Sequence, residues 1–269
     1  MFAVYKTVMS VTKSFDGETP LPVDESTEAT PHTPRPVGLL HLPTWSRLRV
    51  ASKQRALLGR GGDFFEVFQH RDDRVTTVMA DVCGNGPGAA AHVSDIRWAL
   101  RQQLARAAAP GDVLAAVNEW LIANKTSDRF VTAVCARIDL RAGRAEVASA
   151  GHLGPFVKRA GGGVESLATG AGLALGILPG QAYQETGLDL FPEDALVLAT
   201  DGITDRLASA SDLLGERALL RRLAAAPHNI AHICDSLLGP DALAGEDATV
   251  VVLQVPPRHR RSTPVPVPR

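Results

Sequence analysis

Val78-Met79-Ala80-Asp81-Val82-Cys83-Gly84-Asn85-Gly86-Pro87-Gly88 is the stretch that decides how this chain folds. It opens as the end of an apolar strand and runs straight into an acid. Three glycines follow, and a helical run begins at Ala89. An acid at the mouth of a buried strand is costly unless its charge is compensated. Glycines just after it let the backbone turn tightly and approach a bound ion or phosphate. The same grammar returns at Ala195-Leu196-Val197-Leu198-Ala199-Thr200-Asp201-Gly202, where an apolar strand again delivers an aspartate and a glycine. Two such strand ends, about 120 residues apart, point to two acids converging on one cation site.

Outward from these two stretches, strands are expected at 48–52, 64–69, 75–81, 130–139, 145–150, 155–159, 187–191, 195–200 and 248–255. Helical periodicity marks 89–108, with Val93, Ile96, Leu100 and Leu104 on one face, and a second helix capped by Asp112 and running to residue 123. Two more helices are expected over 211–225 and 229–238. Arg141-Ala142-Gly143-Arg144 reads as a hairpin turn. Strands in hairpin order with helices in consecutive pairs favour an α+β architecture of helices on antiparallel sheets over a parallel wound sheet. The long apolar strands suggest sheets buried on both faces.

The ends of the chain differ in composition from this block. Residues 1–38 include Thr30-Pro31-His32-Thr33-Pro34-Arg35-Pro36 and read as a disordered tail, and 256–269 reads as a Pro-rich basic one. One domain, 39–255, is left between them. Lys plus Arg is 28 against 29 Asp plus Glu, so the formal charge of −1 offers no global basic field for nucleic acid. No apolar run reaches the ~18 residues of a membrane span. Neither is there a compact apolar segment with a small-residue cleavage site near the start, which makes the cytoplasm the default expectation. Cys83, Cys135 and Cys234 form no CxxC pair and fit a reducing compartment as small core fillers.

Four acidic positions share one pattern. Asp63 follows Gly61-Gly62 and begins a strand; Asp81 and Asp201 end strands; Glu246-Asp247 follows Gly245 and precedes the last strand. Any one of them alone reads most simply as a turn aspartate capping local backbone. Four together, each against an apolar strand, point to a shared site. Carboxylates without a His or Cys cluster indicate a hard cation, Mg²⁺ or Mn²⁺. Two such ions ~3.5–4 Å apart can acidify a water and clamp a phosphoryl group for in-line displacement.

Gly61-Gly62-Asp63-Phe64-Phe65, Asp81-Val82-Cys83-Gly84-Asn85-Gly86, Phe130-Val131-Thr132, Ala150-Gly151-His152, Thr200-Asp201-Gly202 and Glu246-Asp247-Ala248-Thr249 occur in an order and spacing that resembles the bacterial SpoIIE/RsbU-type phosphatases of the metal-dependent PPM class. The resemblance covers about 39–255. It implies an α-β-β-α sandwich, two antiparallel sheets flanked by helix pairs. It also implies Mn²⁺- or Mg²⁺-dependent hydrolysis of phosphoserine or phosphothreonine, often on an anti-anti-sigma (STAS) protein. By position, Asp81 would bridge two ions, with the Val82 carbonyl as a further ligand. Asp201 would bind the first ion with Glu246 or Asp247, and Asp63 would act near the second. Gly62, Gly84, Gly86 and Gly202 would shape the turns, and His152 would be a buried structural histidine rather than a general acid.

The chain also departs from that pattern. Glu246 occupies the ligand position, three residues before Thr249, where the family usually has aspartate. Cys83 lies in the central turn as a filler. No phosphate-binding arginine stands out; Arg60 and Arg129 are candidates by proximity to the motifs. The Glu246 departure motivates a rival reading, a catalytically weak phosphatase-fold binding module in a signalling pathway. Gly61 to Phe65 also has a superficial likeness to a diguanylate cyclase signature. That reading gives Asp201-Gly202 no role and requires an alternating helix–strand plan that this chain lacks.

Overall fold

The computed structural model describes residues 38–40, 48–55, 61–70, 72–84, 87–106, 109–124, 129–208, 215–239 and 247–257. The tail expected over 1–38 lies outside these residues except for Gly38, as does most of that over 256–269. Arg60, Gly86 and Glu246 also lie outside them.

In chain order the strands are β1 (Gly38–Leu40), β2 (Arg49–Arg55), β3 (Asp63–Gln69), β4 (Arg74–Val82), β5 (Val131–Asp139), β6 (Arg144–Ala150), β7 (Phe156–Lys158), β8 (Val164–Ser166), β9 (Thr186–Asp189), β10 (Ala195–Ala199) and β11 (Ala248–Gln254). The helices are α1 (Pro87–Leu104), α2 (Pro110–Asn124), α3 (Asp201–Thr204), α4 (Glu216–Ala225) and α5 (Ile230–Leu238), with a 3-10 turn at Asp205–Leu207. One sheet has the order β1-β2-β11-β10-β7-β8 and the other β3-β4-β5-β6-β9, every named pairing being antiparallel.

Period-two alternation sorts each strand's side chains into layers. Val50, Phe65, Met79, Val134, Leu196, Leu198 and Val251 fill the space between the sheets. Their neighbours Phe64, Val78, Ala80, Val82 and Cys135 turn outward against Ile96, Leu100, Val113 and Val117 of α1 and α2. On the other side Ala51, Val197, Val250 and Val252 pack against Leu219, Leu223, Ile233 and Leu237 of α4 and α5. Both sheets are thus buried on two faces, and the expected α-β-β-α sandwich is the observed one. Full burial of each large aliphatic in these layers stabilises the fold by about 1.5–3 kcal/mol.

Three local differences have physical causes. The second helix starts at Pro110 rather than after an Asp112 cap, because proline's missing N–H costs nothing at the first helical position; Asp112 sits in the first turn instead. The Asn229 side chain, in contrast, does cap α5, accepting from the Ala231 and His232 amides at 3.0 and 3.3 Å. Strand β8 and helix α3, three and four residues long, are too short for a periodic signal.

A buried ion cluster fixes α1 to the sheet. Glu66 of β3 accepts at one oxygen, Oε1, from Arg97 Nε at 2.7 Å and from Arg101 Nη2 at 2.9 Å. The glutamate side chain is only 3% exposed, and Arg97 also stacks 5.7 Å above the Phe64 ring. Since α1 follows directly from the Asp81 turn, this clamp sets where that turn lies.

Candidate metal centre

The alternation that builds the core also places the acids. Asp63 is in phase with Phe65 and Val67 on β3, and Asp81 with Val75 and Met79 on β4, so both face the space between the sheets. They are direct partners in the β3–β4 ladder, and Asp81 in turn stands opposite Thr132 on β5. From the other sheet Thr200 and Thr249 extend the inward-facing rows that hold Leu198 and Val251. The centre therefore lies at one edge of the intersheet core and is fed from both layers.

Asp63 is the inner member. It is buried, and its Oδ2 accepts from the Thr200 hydroxyl at 2.7 Å and the Thr249 hydroxyl at 2.9 Å. Burial raises its pKa well above the usual carboxylate value, the Asp81 charge adds to this, and the two hydroxyls oppose it. Thr200 Oγ1 also accepts from the Thr249 amide at 2.8 Å, which fixes both threonines.

Asp81 is half-buried and closes the other side. A Cβ on Gly62 would lie 2.6 Å from the Val82 carbonyl oxygen and 3.0 Å from Asp81 Oδ1. The side chain that Gly62 lacks therefore leaves a cradle lined by a carboxylate and a carbonyl. Oxygen donors of this kind fit a hard divalent cation. Val82 itself points its side chain into the α1–α2 layer, leaving only its carbonyl for the site.

Asp247 holds the two sheets together here. Its Oδ2 accepts the Gly62 amide at 2.8 Å, and its backbone carbonyl oxygen would lie 1.8 Å from a Cβ on Gly202. Glycine is required at 202 by that approach. Asp201 opens α3 and is exposed, and its pKa is raised by desolvation and by the neighbouring Asp205 charge. Among the described residues no three His, Cys, Asp or Glu side chains come close enough to hold an ion by themselves. The structure pairs Asp63 with Asp81 and brings Asp247 within electrostatic range of Asp63. Asp201 stands at the outer rim.

The turn after Asp81 is held from outside. Gly84 has a φ of 97°, and Arg129 lies over it, its Nη1 donating to the Cys83 carbonyl. The Cys83 amide donates to Phe130 O at 3.0 Å. Arg129 thus positions the turn. His152 is buried, with Nδ1 paired to Thr132 Oγ1 at 2.9 Å. Its Nε2 is enclosed, with no hydrogen-bond partner of good geometry among the described residues, and burial lowers its pKa to about 4, the nearby Ala199 backbone opposing the shift. A ring so enclosed and so hard to protonate has a structural role. Cys135 and Cys234 are buried thiols with raised pKa, the second to about 12, consistent with core filling.

Thr132, Thr200 and Thr249 stand within the motifs quoted above, but the sequence alone assigns them no role. Phase is the signal that they face inward, each lying two residues from a core aliphatic, Val134, Leu198 and Val251.

A family model for Stage II sporulation protein E (SpoIIE) matches residues 71–256. Phosphoserine phosphatase RsbU of Bacillus subtilis is 28% identical over 200 residues, covering 72% of this chain and 59% of RsbU. Among solved structures, the RsbU and RsbW domains of Rv1364c from Mycobacterium tuberculosis superpose with a TM-score of 0.64 at 26% identity, covering 74% of this chain and 56% of that one. The PP2C phosphatase domain of SpoIIE from Bacillus subtilis, with a fragment of its regulatory domain, gives 0.68 at 20% identity over 78% of this chain and 64% of that one. The chain spans between 34% and 59% of the length of the curated relatives it matches.

Proposed function

Because the chain belongs to the SpoIIE family of PP2C-fold phosphatases, we propose that it hydrolyses phosphoserine or phosphothreonine on a protein substrate with the help of Mn²⁺ or Mg²⁺. The observation that carries this reading is the open cradle at Gly62, where Asp81 Oδ1 and the Val82 carbonyl meet beside Asp63. A pair of divalent ions, when bound, supplies the Lewis acidity that phosphoester hydrolysis needs.

The protein's own residues do the rest. Asp81 and the Val82 carbonyl would hold cation charge at the cleft edge, and Asp63, tied by two threonine hydroxyls, would add negative charge from below. Asp201, at the rim, and Glu246 would complete the first ion's ligands. Asp247 already spends an oxygen on the Gly62 amide, which favours Glu246 as the ligand of that pair and Asp247 as its support. Arg129 keeps the turn shape that aims the Val82 carbonyl.

RsbU is named a phosphoserine phosphatase, and one structural neighbour couples an RsbU domain to an RsbW domain. Both support a phosphorylated regulatory protein as substrate, of the anti-anti-sigma (STAS) type. No described helix is long and apolar enough to cross a membrane.

Phosphate release from a chromogenic phosphoester tests the proposal, with and without excess Mn²⁺, for wild type and Asp81→Asn. Release that requires Mn²⁺ and collapses in the variant is the expected result. A folded wild type that releases none would turn the reading towards the binding module.

A further inference from the structure

Two of the sequence motifs meet at one hydrogen bond beside the metal centre. Phe130-Val131-Thr132 leads into β5 and Ala150-Gly151-His152 leads out of β6, and Thr132 Oγ1 lies 2.9 Å from His152 Nδ1. Thr132 is also the direct ladder partner of Asp81, on the inner face that both share with Met79 and Val134. Side chains paired in this way have Cβ atoms about 4.5–5.5 Å apart, within reach of a hydroxyl. The backbone fixes where the ring sits. Gly151 takes a φ of 67°, where a Cβ would lie 3.2 Å from the Ala174 amide nitrogen. Ser149 Oγ then donates to the His152 carbonyl at 3.0 Å.

A threonine has one hydroxyl proton, and here two acceptors compete for it: the Asp81 carboxylate across the ladder and an unprotonated imidazole nitrogen. The tautomer of the ring decides between them. Its far nitrogen, Nε2, is enclosed, and the nearby Ala199 backbone favours the protonated form, as a carbonyl facing an N–H does. With the hydrogen on Nε2, Nδ1 is an acceptor and the Thr132 proton goes to it. The hydroxyl is then spent on the ring and makes no claim on an Asp81 lone pair. Without the ring, the same hydroxyl would turn about χ1 to the carboxylate, and a cation would have to displace it.

We propose that His152 is a positioning residue for the metal centre: its ring draws the Thr132 hydroxyl away from Asp81 and so keeps that carboxylate open to the cation. In this role His152 acts through Thr132 alone and exchanges no proton with substrate. The consequence for metal rests on the reading of Asp81 as a ligand, whereas the direction of the Thr132–His152 bond does not.

The experiment begins on the full chain stripped of divalent metal. NMR of isotope-labelled ring nitrogens, with His152 assigned by its loss in His152→Asn, reads the tautomer directly. A hydrogen on Nε2 is expected; a hydrogen on Nδ1 overturns the inference whether or not metal binds. This arm needs neither metal nor a disruptive variant, so it decides even if His152→Leu does not fold. Mn²⁺ is then titrated by calorimetry into wild type, His152→Leu, His152→Asn and the double variant His152→Leu/Thr132→Val. His152→Leu should bind about tenfold more weakly, the equivalent of roughly one hydrogen bond. His152→Asn, whose amide can stand in for Nδ1, should recover most of that loss. The double variant should recover it too, because no hydroxyl is left to turn. A double variant as weak as His152→Leu, or a His152→Leu that binds like wild type, overturns the role. Wild type that binds no Mn²⁺ overturns the cation reading of Asp81 and this role with it, even where the tautomer is as expected.

Discussion

Asp63 and Asp81 face each other as direct partners across β3 and β4, both on the inner side of the sandwich, with Asp63 pressed beneath two threonine hydroxyls. Burial and the Asp81 charge both raise the cost of ionising Asp63. A cation between them would remove that cost.

Metal binding should therefore release protons. The raised pKa of Asp63 means that the metal-free fold holds a proton that the unfolded chain has lost. Stability of the metal-free protein accordingly falls as pH rises from the ordinary carboxylate value through the folded one, and Mn²⁺ affinity rises over the same window. Calorimetry in buffers of different ionisation enthalpy reads the protons directly. Asp63→Asn should raise the melting temperature of the metal-free protein at neutral pH and abolish the further rise on adding Mn²⁺. A melting temperature lowered by the substitution would sink this account.

His152 predicts the opposite slope. Its pKa of about 4 lies below the ordinary 6.5, so unfolding takes up a proton between those values. Its contribution is complete above pH 6.5 and is lost as pH falls towards 4, on the order of 3 kcal/mol in all. Denaturant midpoints for wild type and His152→Gln should converge as pH drops through this window. Parallel curves would show that the ring is not buried neutral.

The Glu66 cluster should matter to both fold and site. Glu66→Ala leaves two partly buried guanidinium groups facing each other, at a cost of about 3 kcal/mol. Because α1 continues the Asp81 turn, the Mn²⁺ concentration for half-maximal activity should rise as well. Arg101→Met is expected to do less on both counts, since Arg97 keeps its bond to Glu66.

Asp247 and Glu246 can be separated by amide substitution. Asp247→Asn retains an oxygen for the Gly62 amide and should leave Mn²⁺-dependent activity within a few-fold. Glu246→Gln should lose most of it. The reverse pattern would make Asp247 the ligand.

Gly202→Ala tests the approach of the two sheets at their shared edge. Its Cβ would collide with the Asp247 backbone carbonyl, an overpacking that typically costs about 1–3 kcal/mol. Thermal melting with and without Mn²⁺ should show both a lower midpoint and a smaller gain from the metal.

Much of this was legible before any coordinates. Apolar runs with period-two phase are strong signals, and they located β4, β5, β10 and β11 to within a residue or two. Glycine-flanked acids at strand ends marked Asp63, Asp81, Asp201 and Asp247. The threonine clasp was not legible, because Thr200 and Thr249 meet Asp63 across 137 and 186 residues and threonine is unremarkable in a strand. Arg129 drew notice for its proximity to a motif. Its actual bond, to the Cys83 carbonyl, depends on how β5 enters the sheet beside the turn.

The path of the chain between the layers has one last consequence. It passes from one sheet to the other between β2 and β3, β6 and β7, β8 and β9, and β9 and β10. Asp63 and Asp81 come from one lamina and Thr200, Asp201 and Thr249 from the other, so neither lamina carries a working half of the centre. A slide of one sheet over the other would therefore move Asp63 and Asp81 away from Thr200 and Thr249 together.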